Sequence, residues 1–440
     1  MNRFCYSCIT MTDSLKSPVK SPVARLLAPG ICGGEGCLPH LFAIWLLLAV
    51  LTPEEVYRTF FHVLIYPLTI CLLARMGKSI VWKDPFVRLF LLFCGYMAVA
   101  TWLVGGEAAE KDAQAVRWAF EAALGMVAFF MWMFSVARRG RFWGLWFLSL
   151  AFIGAFAGLV FSFPEAIHGA RIGGLGVMGH PIQGASIATI FLATGLFLTF
   201  RERGTVNPSV ILLAIMAAVS VCTFVSLSQS RAPLIALMVY LLFLAVLLSC
   251  QYRRPVTIFL LFLAATGVVV SIQWFIGLDR LLDQLSSRGM SYRFEIWVAY
   301  LSYLPESLLL GNGAGLDFRL TDAARLHLEP LGLNIAHPHN IWLGAFVQTG
   351  LIGVLMQAGL VVLPVFAVVS SPMPLTGKFH LLAILGLFLL LTFSDEYTLL
   401  ISLHPVWFLG WIPLVFVWTW SRYKTEERVG AIYSRDPGGN

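Results

Sequence analysis

The sequence predicts an all-α integral membrane protein of about 12 transmembrane helices, with one long extramembrane loop between the ninth and the tenth. Three observations predict it. Of the 440 residues, 59% are hydrophobic and only 12% are charged, about half the charge share of an ordinary soluble domain, which excludes a water-soluble enzyme of this length. The apolar residues come in runs of about 20, the length that crosses a hydrocarbon core about 30 Å thick. Charge, Pro and Gly punctuate the runs, with no 20–50-residue repeat or low-complexity tract among them.

In chain order the runs fall roughly at 38–52, 58–76, 86–105, 115–137, 141–162, 180–200, 209–228, 231–251, 256–277, 340–369, 378–394 and 400–421. Residues 1–37 carry Arg3, Lys16, Lys20 and Arg25 among Ser, Pro and Gly, without an apolar h-region, so they are expected to form a cytoplasmic tail and not a signal peptide. Residues 38–421 form one polytopic domain and 422–440 a second tail. Alternating helices divide the connections into two sets, and the set holding both termini contains 20 of the 30 Lys and Arg residues. By the positive-inside rule the termini are cytoplasmic. The net charge of +7 is then a topology signal, and nucleic acid is not expected as a partner. Cys5 and Cys8 form a lone C-x-x-C without a second pair or a His partner, a weak metal signal.

The outer set contains one long connection, about 278–339, far above the usual loop length and therefore the expected seat of function. Within it Ile296, Trp297, Tyr300, Leu301 and Leu304 recur at helical spacing, as in a helix lying on the membrane surface. Pro305 and Gly311-Asn312-Gly313-Ala314-Gly315 then break it.

With this topology the unusual polar residues Arg171, His180, Arg231, Arg288, Arg293, His339 and Asp395 all fall on the outer side. Each has a plainer reading. Arg231, at a helix end, is placed to snorkel, but on the side where anchoring Arg is scarce. Arg293 suits the polar face of the surface helix, and Arg171 and Arg288 suit solvated loops. His339, in His337-Pro338-His339-Asn340, opens a long apolar helix for which Asn340 is a suitable cap. The positive end of that helix disfavours imidazolium, so the ring would be neutral and able to accept a proton. His337 competes for the same role. The outer acids, Glu54-Glu55 and Asp395-Glu396, are adjacent pairs without metal-ligand spacing, so no metal and no cofactor is expected. An arginine-rich face without a metal site suits a ligand with its own negative charge, such as a lipid-linked diphosphate.

His339-Asn340, nine residues, then Gly350-Leu351-Ile352-Gly353 resembles the H-[NSQ]-x9-G-x-x-G motif of the O-antigen ligase and polymerase superfamily. Ser228-Gln229-Ser230-Arg231 is similar to that family's Ser-x-Ser-Arg element. Arg293-Phe294-Glu295-Ile296-Trp297, with Pro305 and Gly311-Asn312-Gly313, resembles its loop signature, and Arg171 through Gly179-His180-Pro181 its preceding outer loop. The resemblance covers about 170–400.

It implies a GT-C-like, metal-independent glycosyltransferase of the bacterial inner membrane with its active site facing the periplasm. The leading expectation is transfer of O-antigen polysaccharide from undecaprenyl diphosphate to a sugar hydroxyl of lipid A-core oligosaccharide, with inversion at the anomeric carbon. Arg231 and Arg293, helped by Arg171 or Arg288, would bind the donor diphosphate, and His339 would act as general base. His180, His337, Asn340 and Asp395 are supporting candidates, with Asp395 orienting an Arg or His. Gly350 and Gly353 are expected on one helix face, admitting a close neighbour helix. A polymerase using a second lipid-linked glycan as acceptor shares the motifs. A twelve-helix transporter is the rival from another class, but its ionisable residues belong near the midplane, whereas here the charges cluster at one mouth and the only clearly intramembrane acid is Glu121, about a third of the way into the fourth span.

Overall fold

A computed structural model describes residues 37–76, 80–104, 109–168, 170–200, 207–252, 292–303, 305, 307–396 and 398–434. Among these residues there is no β-strand. Helix α1 spans Cys37–Leu51, and α2 runs from Glu54–Phe60 through a π-turn at Phe61–Ile65 into Tyr66–Met76. Then follow α3 (Pro85–Val104), α4 (Ala109–Arg138), α5 (Gly140–Phe161), α6 (Pro181–Phe200), α7 (Pro208–Leu227) and α8 (Arg231–Tyr252). The short α9 (Arg293–Ser302) lies in the long loop. After it come α10 (Ile341–Ser370), α11 (Leu375–Asp395) and α12, a π-turn at Trp407–Trp411 that continues as Ile412–Ser434.

Eight described helices are long and apolar enough to cross a membrane, and α1 and α8 are shorter apolar helices. At 1.5 Å per residue, 20 residues match the hydrocarbon core. A helix stands at every expected span except 256–277, which lies outside the described residues, as do Arg288 and the first part of the long loop. The fold is that of an all-α integral membrane protein.

Three local expectations change. The last span does not begin near 400: residues 398–405 are non-helical, and the helix, entered at Val406, runs through Trp407–Trp411 to Ser434, taking in most of the expected tail. Pro405 has no N–H to donate and disfavours helical backbone at His404, so the helix starts after it. Second, the helix expected over 340–369 is broken at Gly350. Third, the expected surface helix exists as α9, but Ile296, Ala299 and Tyr300 face inward, onto a small core with Phe318, Leu328 and Val347. Tyr300 stacks on Phe318 at 3.5 Å. The exposed apolar positions of α9 are Phe294, Val298 and Leu301; Leu304 lies outside the described residues.

The bundle is pinned by aromatic rings. Phe42 of α1 stacks on Trp132 of α4 at 4.5 Å, Trp45 of α1 on Phe408 of α12 at 4.9 Å, and Trp407 on Trp411 at 4.0 Å. In lipid, apolar burial gives helices little reason to associate, so shape-specific ring packing, about 0.5–1.5 kcal/mol per pair beyond area, is an effective substitute. Glu121 of α4 is not a lone membrane acid. It lies 3.4 Å from Arg117 Nε and 3.8 Å from His62 Nε2 of α2.

Candidate active site

The first part of the site is the loop between α5 and α6. Ile172 and Met178 are buried and anchor it, the Gly174 N–H donates to Met178 O at 2.7 Å, and the Ile172 N–H donates to Leu227 O at 3.4 Å. Arg171, beside this anchor, donates from Nε to Ser228 O at 3.0 Å and from Nη2 to Ser230 Oγ at 2.9 Å. Its guanidinium therefore holds the Ser228-Gln229-Ser230-Arg231 turn between α7 and α8 in place. Two of five N–H donors make those bonds. Two motifs that are 57 residues or more apart in sequence are joined here.

The second part joins the Arg293 and His339 segments. Trp297, one turn into α9 from Arg293, donates from Nε1 to Pro338 O at 3.0 Å, gripping the peptide between the two histidines. The same indole meets Phe393 of α11 edge-on at 5.5 Å. Asn340 is the cap of α10, its Oδ1 accepting from the N–H groups of Trp342 and Leu343 at 2.9 and 3.0 Å. The His337 and His339 rings lie 4.4 Å apart at 57°. Burial, and then the neighbouring His339, push His337 down to about 4, so it is neutral near pH 7.

Arg231 opens α8, Arg293 opens α9, His180 immediately precedes α6, and His339 immediately precedes the α10 cap. Each cationic or titratable group thus stands at the positive end of a helix dipole. That position costs a cation about 0.3–1 kcal/mol and favours an anion. The backbone is strained at the same places. Among the described residues the non-glycine positions with positive φ are Gln229 (49°), Tyr292 (57°) and His339 (51°), one beside each of Arg231, Arg293 and Asn340. Such conformations cost about 1–3 kcal/mol each and cluster where geometry serves function.

The break in α10 fixes the height of this group. Gly350 has φ 61° and ψ −165°, and Gly311 of the loop has φ 78°. Their backbones interlock: a Cβ on Gly350 would collide with Leu309 O, and one on Gly311 with the Thr349 and Gly350 nitrogens. The loop satisfies the peptide groups that the break frees, since Asn312 N–H donates to Val347 O at 2.8 Å and Leu351 N–H to Leu308 O at 2.9 Å. Tyr96 of α3 donates its hydroxyl toward both Leu309 O and Thr349 O, at 2.9 and 2.8 Å. Gly350 therefore receives a loop and not a neighbour helix. Gly353 makes room chiefly for the Thr349 side chain, displaced toward it by the break.

A third group was not singled out from sequence. Glu396, 1% exposed, accepts from Gln183 Nε2 of α6 at 3.4 Å and lies 3.9 Å from His404 Nδ1. Burial pushes His404 down to about 4, with the charges of Arg58 and His337 adding to the effect. Arg58 is itself ion-paired with Glu54. This group ties the α6 start, beside His180, to the end of α11. Asp395 is the last residue of α11, and its side chain lies outside what the structure describes. The overlooked signal is a repeated dipeptide: His180-Pro181, His337-Pro338 and His404-Pro405. Among the described residues no three or more His, Cys, Asp or Glu residues come together as a metal site.

A cavity of about 180 Å³ opens beside His337, walled by Gln114 and Trp118 of α4, Asp317 and Arg319 of the loop and Gln348 of α10. Arg319 grips the Asp317 carboxylate with both ends of its fork, at 2.8 and 2.7 Å.

Fold and site together define a polytopic all-helical membrane protein with arginine and histidine elements gathered at one end of the bundle. A family model described as O-antigen ligase (Wzy_C) matches residues 211–358, which include Ser228–Arg231, Arg293, His339 and Gly350. The chain is also similar to the O-antigen ligase of Pseudomonas aeruginosa, 26% identical over 263 residues, 59% of this chain and 60% of the relative. The chain thus spans about 60% of the length of the curated relative it matches. These two likenesses support an O-antigen ligase-type protein.

Proposed function

We propose that this protein acts in lipopolysaccharide assembly as an inverting glycosyltransferase, moving O-antigen polysaccharide from undecaprenyl diphosphate to a sugar hydroxyl of lipid A-core oligosaccharide. The reaction takes place at the periplasmic face of the bacterial inner membrane. The observation that carries the reading is the joining of Arg171 to the Ser230-Arg231 turn at the same end of the bundle where Trp297, one turn from Arg293, holds the His337–His339 pair.

Arg231 and Arg293, at positive helix ends, bind the diphosphate and stabilise the charge that grows on it as the bond to the anomeric carbon breaks. Arg171 holds the turn and helps bind the diphosphate, and Arg288 is a further candidate. The acceptor oxygen attacks the anomeric carbon from the face opposite the leaving group, its proton passes to His339, and undecaprenyl diphosphate leaves with the bonding electron pair. His337 flanks the base, Asn340 fixes its helix, and His180 and Asp395 stand in supporting positions. No metal or cofactor enters this scheme.

Deleting the gene and analysing lipopolysaccharide tests it. Lipid-linked polymer accumulating beside bare core is the expected result. Single repeats on core would mean a polymerase, and unchanged lipopolysaccharide would overturn the reading.

A further inference from the structure

The cavity beside His337 belongs to neither arginine element. Its one strong cation, Arg319, is held by the carboxylate of Asp317, which is 7% exposed, so the pair is already neutralised. A phosphate would gain little there, because its charge would compete with Asp317 for the same guanidinium. What the walls do offer is a half-buried indole, Trp118, together with planar polar side chains: the Asp317–Arg319 pair, Gln348 and Gln114. Asp317 is further fixed by accepting from the Arg319 N–H at 3.2 Å.

An aromatic plate ringed by planar donors and acceptors matches a pyranose. The ring's C–H face lies on the indole, and its hydroxyls meet carboxylate, guanidinium and amide groups. The cavity, about 180 Å³ and open to the outside, seats one ring, and the rest of the oligosaccharide lies beyond its mouth. The cavity is bounded by elements that meet rigidly: the Ala314 N–H donates to Thr101 Oγ1 of α3 at 3.0 Å, and Gln348 stands between Val347 and Thr349, whose carbonyls take part in the contacts of the α10 break.

We propose that this cavity is the subsite for one monosaccharide ring of the acceptor, with Trp118 as its platform and Asp317–Arg319, Gln348 and Gln114 selecting its hydroxyls. This rests on the glycosyl-transfer reading and deepens it. A ring seated against Trp118 has a hydroxyl next to His337, whose imidazole lies 4.4 Å from that of His339, tilted at 57°. The attacking oxygen is thereby delivered to the histidine pair from the cavity that His337 lines.

The test is binding without turnover. Full-length protein in nanodiscs is titrated with lipid-free core oligosaccharide, donor absent, and read by saturation-transfer NMR. Wild type is expected to bind. Trp118→Ala and Gln348→Ala should each weaken binding at least tenfold, and Trp118→Phe should retain most of it. In the transfer assay the same variants should raise the acceptor KM and leave the donor KM unchanged. Unaltered binding in Trp118→Ala and Gln348→Ala would overturn the proposal, as would a wild type that transfers glycan but binds no oligosaccharide here. Trp118-dependent binding in a protein whose deletion leaves lipopolysaccharide unchanged would instead keep the subsite and reject the ligase reading.

Discussion

Arg171 donates from Nη2 to Ser230 Oγ at 2.9 Å and, from Nε on the same edge, to Ser228 O at 3.0 Å. Loop and turn are therefore one unit. A lysine offers a single rotatable ammonium in place of the planar fork and does not hold both acceptors in that geometry. Hydrogen bonds from a charged donor are worth about 1.5–3 kcal/mol each. Arg171→Lys is expected to lower the Tm in detergent and weaken donor binding together. Arg231→Lys should weaken donor binding with little change in Tm. Equal Tm losses in the two would reduce Arg231 to a structural anchor.

His339→Ala should leave the protein folded and able to bind lipid-linked donor, yet cost about 10²–10⁴-fold in transfer, the usual weight of a general base. His337→Gln should cost less, since its amide keeps the cavity wall. A reversed order of the two losses, measured with saturating donor, would assign the base to His337.

Gly350→Ala adds a methyl group where φ is 61° and where the Leu309 carbonyl already stands. The left-handed conformation alone costs about 1–2 kcal/mol, and the collision adds to it. The variant should lose the loop's protection against limited proteolysis around 305–313. A wild-type cleavage pattern would mean that the loop does not depend on the break.

Acid should destabilise the protein in a defined window. His337 and His404 are both held at about 4 in the folded chain, against an ordinary value of 6.5. As pH falls from 6.5 toward 4, the unfolded chain takes up protons that the folded chain refuses. Stability is therefore complete above about 6.5 and is lost on the way down, with a slope on the order of 1.4 kcal/mol per pH unit for each imidazole. Melting curves at pH 7, 5.5 and 4.5 should descend, and His404→Gln should flatten the descent. An unchanged slope in that variant would remove His404 from the account.

Because arginines neutralise the diphosphate in this scheme, a chelator should leave transfer unchanged. Activity lost to chelator and restored by a divalent cation would overturn that assignment.

Much of the architecture was legible because it rests on local signals. A run of about 20 apolar residues states its own span, and alternation then puts Arg171, Arg231, Arg293 and His339 at one end. What escaped were features set by partners distant in the chain. Gly350 and Gly353 share a helix face only if the helix is continuous, and the loop backbone that breaks it lies about 40 residues upstream. Glu396 follows the last residue of the helix and is extended (φ −116°, ψ 164°), so its carboxylate turns inward to Gln183, which no local pattern announces. His404 lies inside a run that reads as membrane span, which hides its place beside Glu396.

The interlock of Gly311 with Gly350 gives the nine residues between Asn340 and Gly350 a meaning as a measured length. At 1.5 Å per residue they form a rod of about 14 Å, two and a half turns long, capped by Asn340 at one end and stopped by the loop at the other. The rod sets how far His339 stands from the interlock and in which compass direction it points. One inserted residue would swing the histidine by about 100° around the helix axis and lift it by 1.5 Å, whereas residues added between 329 and 332 would only lengthen an exposed bend. The chain tolerates growth on one side of this ruler and none along it.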